Sequence, residues 1–323
     1  MTRNLLVIGG SGFIGGHVVA RAAADGWNVT SIDPSPARTE IGPKVDHRPA
    51  FRQASVSDKA ALAAIAKEVR PDAAVSLAAF GVGTDGLAGG AAADPARAIR
   101  VNVEGIANLI EVLHDVECTT LIHSSSSTVY AQCTPTGPAG VSENVPLQPE
   151  NVYGATKLAA EHIARLLGDA YGMRVASARL PLVYGEGRWY GGSQDALVRI
   201  ASELASGQAG AIDAWTSLAD WMYATDAAGC LLALAAHDQA TGAYNVSGHR
   251  ASLYEIATAL VEAMSASDRA TVSEVQVGGP RVPLMDTTRI EQDVGFRSSV
   301  TTAERGARLY ADALLRQKTR HSQ

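Results

Sequence analysis

The chain has 323 residues, long enough for a substantial core and two lobes, and 19% of its residues are charged, with a formal net charge of -6. This mild acidity excludes a protein that binds along the phosphate backbone of a nucleic acid, because such a protein needs an extended basic surface. The absence of long apolar stretches and of a secretory signal predicts a cytoplasmic protein that does not bind membranes.

Short apolar runs alternate with longer helical stretches through the first half of the chain. Strands are predicted over residues 5–8, 28–32, 73–77, 121–124 and 174–178. Helices are predicted over residues 13–25, 59–69, 94–114 and 152–167, and Asp58 and Asp94 are the expected N-caps of two of them. The Gly/Ala-rich residues 81–93 predict a loop. Three cysteines, Cys118, Cys133 and Cys230, have no partners at metal-ligand spacing and are expected to be reduced, mostly buried thiols, with no metal site.

Repeated alternation of strands and helices predicts βαβ units and an α/β fold with a Rossmann-type, doubly wound parallel sheet. We assign residues 1–178 to this domain, and residues 227–247 are expected to return to it. Residues 179–226 and 248–323 are less regular and predict a smaller, mostly helical C-terminal lobe that binds substrate. The aromatic residues Trp189, Tyr190, Trp215 and Trp221 fall in this lobe, where they either stack on a sugar ring or form its core.

A glycine motif lies between the first predicted strand and helix. Gly9, Gly12 and Gly15 have the GxxGxxG spacing of a turn that lets backbone approach a pyrophosphate at a helix N-terminus. Asp33 ends the second strand, where a carboxylate accepts hydrogen bonds from ribose hydroxyls and repels a 2′-phosphate. The pattern predicts NAD as cofactor, and the nearby Arg38 leaves NADP open.

Tyr153 and Lys157 are four residues apart on a predicted helix and therefore share one face. The pKa of a tyrosine is ordinarily about 10, and a neighbouring ammonium group lowers it by stabilising the phenolate. Such a tyrosine can take a proton from an alcohol while a hydride leaves for NAD. The hydroxyls of residues 124–128 follow a buried strand, at the sheet edge where ligands bind in open α/β folds.

Together these segments resemble the extended short-chain dehydrogenase/reductase superfamily, within its NAD-dependent epimerase/dehydratase family. The resemblance is carried by residues 9–15, Asp33, and residues 77–79, 102–105, 124–130, 153–157, 179–185, 220–226 and 286–296. It implies that Tyr153 is the acid/base, that Lys157 lowers its pKa and binds the nicotinamide ribose, and that Ser126 holds the reacting oxygen. The expected cofactor-binding residues are Gly9, Gly12, Phe13, Ile14, Gly15, Asp33, Ser55, Val56, Leu77, Ala78, Ala79, Asn102, Ser124, Tyr153, Lys157 and Pro181.

The sequence departs from this family pattern on the substrate side. Ser127 and Thr128 stand where sugar-nucleotide 4,6-dehydratases carry an acidic pair, so dehydration is not expected. Leu182 replaces an Asn, and Ala219 replaces an Arg that would clamp a diphosphate. Arg281 is a candidate second phosphate-facing residue. The expected substrate-binding residues are Ser126, Ser127, Trp189 and Arg281.

These observations lead to one main functional hypothesis and two alternatives. The main hypothesis is an NAD-dependent oxidoreductase or epimerase that acts on a secondary hydroxyl of a sugar or sugar-derived substrate through a keto intermediate. One alternative is a UDP-sugar 4-epimerase, and the other is a non-catalytic NAD-binding regulatory protein. The resemblance also implies a homodimer through the helix of Tyr153 and Lys157, with candidate contacts at Leu158, Ile163 and Leu166.

Overall fold

A computed structural model describes residues 3–37, 41, 49–81, 85–130, 139–276, 279 and 281–321, with side chains up to residue 317. The strands in these ranges are β1 (Asn4–Ile8), β2 (Asn28–Asp33), β3 (Ala50–Gln53), β4 (Ala73–Ser76), β5 (Thr120–Ser126), β6 (Arg174–Leu180), β7 (Leu182–Tyr184), β8 (Gly210–Trp215), β9 (Ala219–Tyr223), β10 (Gly242–Asn245), β11 (His249–Ala251) and β12 (Ala270–Val275). The α-helices are α1 (Phe13–Ala24), α2 (Lys59–Val69), α3 (Gly86–Ala93), α4 (Pro95–Ile99), α5 (Gly105–Asp115), α6 (Val152–Tyr171), α7 (Asp195–Ala205), α8 (Ala224–Ala236), α9 (Leu253–Ala263), α10 (Thr288–Val294) and α11 (Ala303–His321).

Seven strands form one sheet in the order β3-β2-β1-β4-β5-β6-β10, and every neighbouring pair is parallel. Strand β1 shows why helices cover both faces. Leu5 and Val7 enter a core shared with α1 and α8, whereas Leu6 and Ile8 enter a second core shared with α2, α5 and α6. Because successive side chains of a strand point to opposite faces, an unbroken apolar run needs cover on both sides. The predicted doubly wound α/β fold is confirmed.

The remaining strands lie in two small sheets. One has the order β11-β9-β7, and the other pairs β8 with β12 in parallel. Helices α7, α9 and α11 pack with both sheets around a third core, in which Tyr184 and Trp221 are fully buried. Strand β10 instead pairs with β6 in the large sheet. The division of the chain into two lobes stays a prediction.

One sequence prediction about the segment before residue 115 was wrong, and a second, of a helix over residues 94–114, was confirmed with an added feature. Within the Gly/Ala-rich residues 81–93, residues 86–93 form helix α3 rather than a loop, since alanine favours helix and small side chains allow close packing. A Cβ on Gly86 would lie 3.0 Å from the Cα of Gly192. The helix predicted over residues 94–114 is interrupted by a π-helical turn at Arg100–Glu104. Such turns occur often at functional sites.

Two further features concern the cysteines and the length of the helices. Cys118 and Cys230 are buried free thiols, as predicted, and Cys133 lies outside the described residues. In the described part of the chain, no helix combines the length and apolar character needed to cross a bilayer.

Candidate active site

A cavity of about 640 Å³ opens beside the carboxyl ends of β1, β4 and β5. Strands β2 and β4 flank β1 on opposite sides, so the chain direction across the sheet reverses there. Ligands of open α/β sheets bind at such switch points. The predicted site residues in the lining are Gly9, Gly12, Phe13, Ile14, Gly15, Asp33, Leu77, Ala79, Ser124, Ser126, Ser127, Tyr153, Lys157, Pro181, Trp189 and Arg281.

The glycine turn connects β1 to α1 at the floor of this cavity. Gly9 has φ +80°, a conformation that favours glycine, and its N–H donates to Ile32 O at 2.8 Å. A Cβ on Gly15 would lie 2.0 Å from Gly9 O, so only glycine permits this approach of helix to turn. Gly12 caps α1 without any side-chain hydrogen bond. The first N–H groups of α1 are therefore left for an anion.

Asp33 stands at the end of β2 on the cavity wall. One of its carboxylate oxygens accepts the Ser35 N–H at 3.1 Å. Burial raises the pKa of Asp33, while hydrogen bonds from the backbone of Ser35 and Ser11 oppose that change. The remaining acceptor capacity of the carboxylate suits the paired hydroxyls of a ribose. Arg38 lies outside the described residues.

Ser126 ends β5 and is arranged as a hydrogen-bond donor. Its Oγ accepts hydrogen bonds from Thr128 N at 3.3 Å and from Thr128 Oγ1 at 3.0 Å. Because these two bonds use both lone pairs, the hydroxyl hydrogen of Ser126 is left to donate. Burial raises the pKa of Tyr153, and a hydrogen bond with Ser126 opposes the rise. Ser126 and Tyr153 therefore meet at one point of the cavity.

Lys157 lies one turn beyond Tyr153 on α6, and its side chain is 1% exposed. Its Nζ donates to Ser124 O at 2.8 Å and lies 5.8 Å from the centroid of the Tyr153 ring. Burial lowers the pKa of Lys157 to about 8, although the negative charge of Glu161 opposes the change. The structure thus brings Ser126, Tyr153 and Lys157 together.

Asn102 has a positioning role between two walls of the site. Its Oδ1 accepts the Phe80 N–H at 2.8 Å, and its Nδ2 donates to Thr156 Oγ1 at 2.9 Å. The Thr156 hydroxyl in turn donates to Tyr153 O at 2.8 Å. The π-helical turn that carries Asn102 therefore ties the segment after β4 to the helix of Tyr153 and Lys157.

Four predicted cofactor residues lie outside the cavity lining: Ser55, Val56, Ala78 and Asn102. Val56 is buried in the core beneath α5, and Ser55 Oγ accepts the Ser57 N–H at 3.2 Å. Direct contact of these residues with a cofactor stays a prediction.

The opposite wall of the cavity is built by β7, β9 and the loop after β7. Trp189 and Tyr190 line it, whereas Trp215 and Trp221 stack on each other in the core. Of the four aromatic residues considered, two therefore have access to a substrate.

Sequence reasoning missed other residues of this wall, including Arg188, Gln194 and the helix residues Gly86, Leu87 and Ala88. The signal for Arg188 was a lone cation within a Gly- and aromatic-rich loop.

The residues present fit an NAD molecule. A glycine turn with free helix amides, a ribose-facing carboxylate and a Tyr–Lys pair line one continuous cavity, and this combination defines a dinucleotide-dependent α/β enzyme. The profile of the NAD dependent epimerase/dehydratase family matches residues 5–247. The chain belongs to this family and is an NAD-dependent enzyme of the extended short-chain dehydrogenase/reductase type.

Individual relatives show both chemistries of the family name. The chain is 24% identical to the dTDP-glucose 4,6-dehydratase of Xanthomonas campestris pv. campestris, with 97% of this chain and 93% of that protein aligned. It is 32% identical to a bifunctional UDP-glucose and UDP-xylose 4-epimerase of Arabidopsis thaliana over 50% of this chain and 47% of that protein. The UDP-glucose 4-epimerase of Thermus thermophilus, crystallised with NAD, has the same fold, with a TM-score of 0.79, 24% identity and coverage of 96% of this chain and 98% of that one.

Proposed function

We propose that this protein oxidises a secondary hydroxyl of a sugar or sugar-derived substrate, using Ser126, Tyr153 and Lys157. The single observation that carries the proposal is their convergence in the cavity that also holds the glycine turn and Asp33. An isolated Tyr–Lys pair on a helix is common. Its position beside the hydroxyl donor Ser126 and the residues that fit a dinucleotide is specific to an oxidoreductase site.

The three side chains divide the chemistry between them. Ser126, with both lone pairs occupied, donates its hydrogen to the substrate oxygen and holds it beside Tyr153. Tyr153, as the phenolate that the positive charge of Lys157 stabilises, takes the hydroxyl proton and becomes a neutral phenol. NAD, when bound, supplies the acceptor for the hydride of the carbinol carbon. If the keto product stays bound and is reduced on its other face, the net reaction is epimerisation; if it leaves, the enzyme is a dehydrogenase.

Dehydration is not part of the proposal. Ser127 and Thr128 carry only hydroxyl groups, and the Thr128 hydroxyl already donates to Ser126 at 3.0 Å. Elimination of water needs a group that can hold a proton and another that can remove one near neutral pH. Neither side chain can do this, in contrast to the acidic pair expected in a 4,6-dehydratase.

The substrate we propose carries no nucleotide. Leu182 and Ala219 both line the cavity, and neither can bind a diphosphate. Arg281 lines it too, but this residue is exposed to solvent. The second candidate is a UDP-sugar 4-epimerase, and the name of the Arabidopsis relative favours it.

We propose a homodimer formed through α6. Leu166 on this helix is 56% exposed, whereas Leu158 and Ile163 are partly buried against cores of the same chain. Leu166 is therefore the contact that sedimentation of an L166E variant would test: a dimer should become a monomer, and an unchanged mass would contradict this part of the proposal.

The decisive experiment incubates the protein and NAD with free sugars, sugar acids and UDP- or dTDP-sugars, following NADH and product stereochemistry together. Net NADH from an unactivated sugar or acid, or conversion of such a sugar or acid to its epimer, is the expected result. Conversion of a nucleotide sugar to its epimer without net NADH would establish the second candidate instead.

A further inference from the structure

Arg188 occupies a fixed position in the cavity wall. It follows β7, and its Nη1 donates to Val183 O and its Nη2 to Gly191 O, each at 3.0 Å. The guanidinium carbon lies 4.2 Å from the centroid of the Tyr190 ring and 5.6 Å from that of Phe13. These contacts hold the guanidinium in one orientation beside the cavity.

The charge of Arg188 is not compensated. Among the described residues no carboxylate forms an ion pair with it, and burial lowers its pKa. Arg179 of β6, which is buried, instead forms a two-pronged pair with Glu161, with N–O distances of 3.0 and 2.7 Å. A partly buried cation without a counter-charge is costly, so its presence in a cavity wall points to an anionic ligand.

Unpartnered polar atoms in the same wall support this interpretation. Within the described part of the chain, Arg188 Nε, Gln194 Oε1 and Ser125 Oγ are buried and have no hydrogen-bond partner. All three residues line the cavity, and Gln194 and Ser125 are 2% and 3% exposed. Buried polar groups are nearly always paired in folded proteins, so three unpaired atoms in residues that line one cavity mark its wall as polar.

We propose that Arg188 binds the carboxylate of a sugar acid, so that the substrate of this enzyme is a uronic-acid-type sugar. The inference rests on the proposed function and narrows its substrate class. A carboxylate matches the planar guanidinium, which carries five N–H donors. The two backbone carbonyls engage one donor on each Nη, and the Tyr190 side chain accepts a further hydrogen bond, which leaves donors for a ligand.

The pyrophosphate of NAD is the competing anion, and two observations argue against it. The uncapped start of α1 and the glycine turn already provide donors for phosphates. Arg188 also interacts electrostatically with Tyr153, whose pKa its charge helps to hold down. The positive charge of Arg188 is therefore felt at the Tyr153 hydroxyl as well as beside Phe13, whose ring centroid lies 5.6 Å from the guanidinium carbon.

The test compares D-glucuronate and D-galacturonate with the matched neutral sugars D-glucose and D-galactose. Calorimetric titration of NAD-loaded protein measures sugar binding independently of turnover, and a separate titration measures NAD affinity. The variants are R188Q, R188K and the control R199Q, which removes a charge from a half-exposed arginine outside the cavity. Thermal unfolding checks that each variant is folded.

We expect the wild type to bind one hexuronate at least about tenfold more tightly than its neutral partner. R188Q should lose about ten- to a hundredfold in hexuronate affinity, the value of a charge-assisted hydrogen bond, and keep NAD affinity within about twofold. R188K should fall between, because it keeps the charge without the planar fork. R199Q should behave as wild type.

Three results would overturn the inference: no hexuronate preference in the wild type, equal losses for acids and neutral sugars in R188Q, or a matching loss of NAD affinity. If R188Q does not fold, the hexuronate affinity of R188K and the preference of the wild type for hexuronates over neutral sugars decide whether the inference stands. Hexuronate binding without turnover would leave this inference standing and refute the proposed function. Turnover of neutral sugars without a preference for the acids would support the proposed function and refute this inference.

Discussion

The buried ammonium of Lys157 makes the stability of the NAD-free protein depend on pH in a predictable direction. Burial lowers the pKa of Lys157 from 10.5 to about 8. Between these two values the unfolded chain binds more protons than the folded one, so the free energy of unfolding rises as pH rises. Protonating Lys157 costs the folded protein about 3 kcal/mol near pH 7, and this cost fades as pH approaches the unfolded pKa.

A K157M variant isolates this effect because it has a similar volume and cannot titrate. Denaturant unfolding gives the free energy of unfolding of both proteins at about pH 6.5 and about pH 9.5. The difference between wild type and K157M is then compared at the two pH values, and the contributions of all other titrating groups cancel in it. The wild type should gain about 2 kcal/mol relative to K157M on going to the higher pH. Equal changes in the two proteins would refute the argument from burial.

The remaining predictions concern the glycine turn, the ribose contact and the buried ion pair. G15A should disrupt the turn, because a Cβ at residue 15 would lie 2.0 Å from Gly9 O. G12A, whose Cβ would lie 3.2 Å from the same atom, should fold normally and weaken only NAD binding. Thermal unfolding and NAD titration distinguish the two variants, and equal thermal stabilities would count against the steric argument. D33S should weaken NAD binding about ten- to a hundredfold and improve NADP relative to NAD, as measured by titration with each, and an unchanged preference would contradict the role of the carboxylate. R179M should cost about 3–5 kcal/mol in unfolding free energy by leaving the Glu161 carboxylate buried without its cation, and a loss below about 1 kcal/mol would show that the pair is not needed.

Local sequence patterns predicted the elements that carry the proposed chemistry. The run at residues 5–8 is buried on both faces in β1, and Asp58 caps α2 by accepting the Ala61 N–H. The glycine spacing and the Tyr–Lys spacing were informative because each reflects a short-range requirement. The glycines allow a close approach of the backbone, and the Tyr–Lys spacing places two side chains on one helix face. Such requirements are visible in one segment of the chain.

Features that depend on distant segments were not predictable in this way. Helix α3 was missed because its small residues give no apolar periodicity, and its packing depends on Gly192, more than a hundred residues further along the chain. The contacts of Asn102 likewise need the fold to bring Phe80 and Thr156 together. Arg188 could be assessed only when the structure showed that no described carboxylate neutralises it.

The central claim, that Tyr153 moves the proton during oxidation, is tested most directly by a single turnover. NAD-loaded wild type, Y153F and the control Y171F, which changes a partly buried tyrosine at the far end of the same helix, are mixed rapidly with the best substrate of the sugar panel, and NADH absorbance is followed. The account predicts formation of NADH in the wild type and Y171F, with a rate at least about a hundredfold lower in Y153F despite unchanged NAD affinity. An equal rate of NADH formation in Y153F would contradict it.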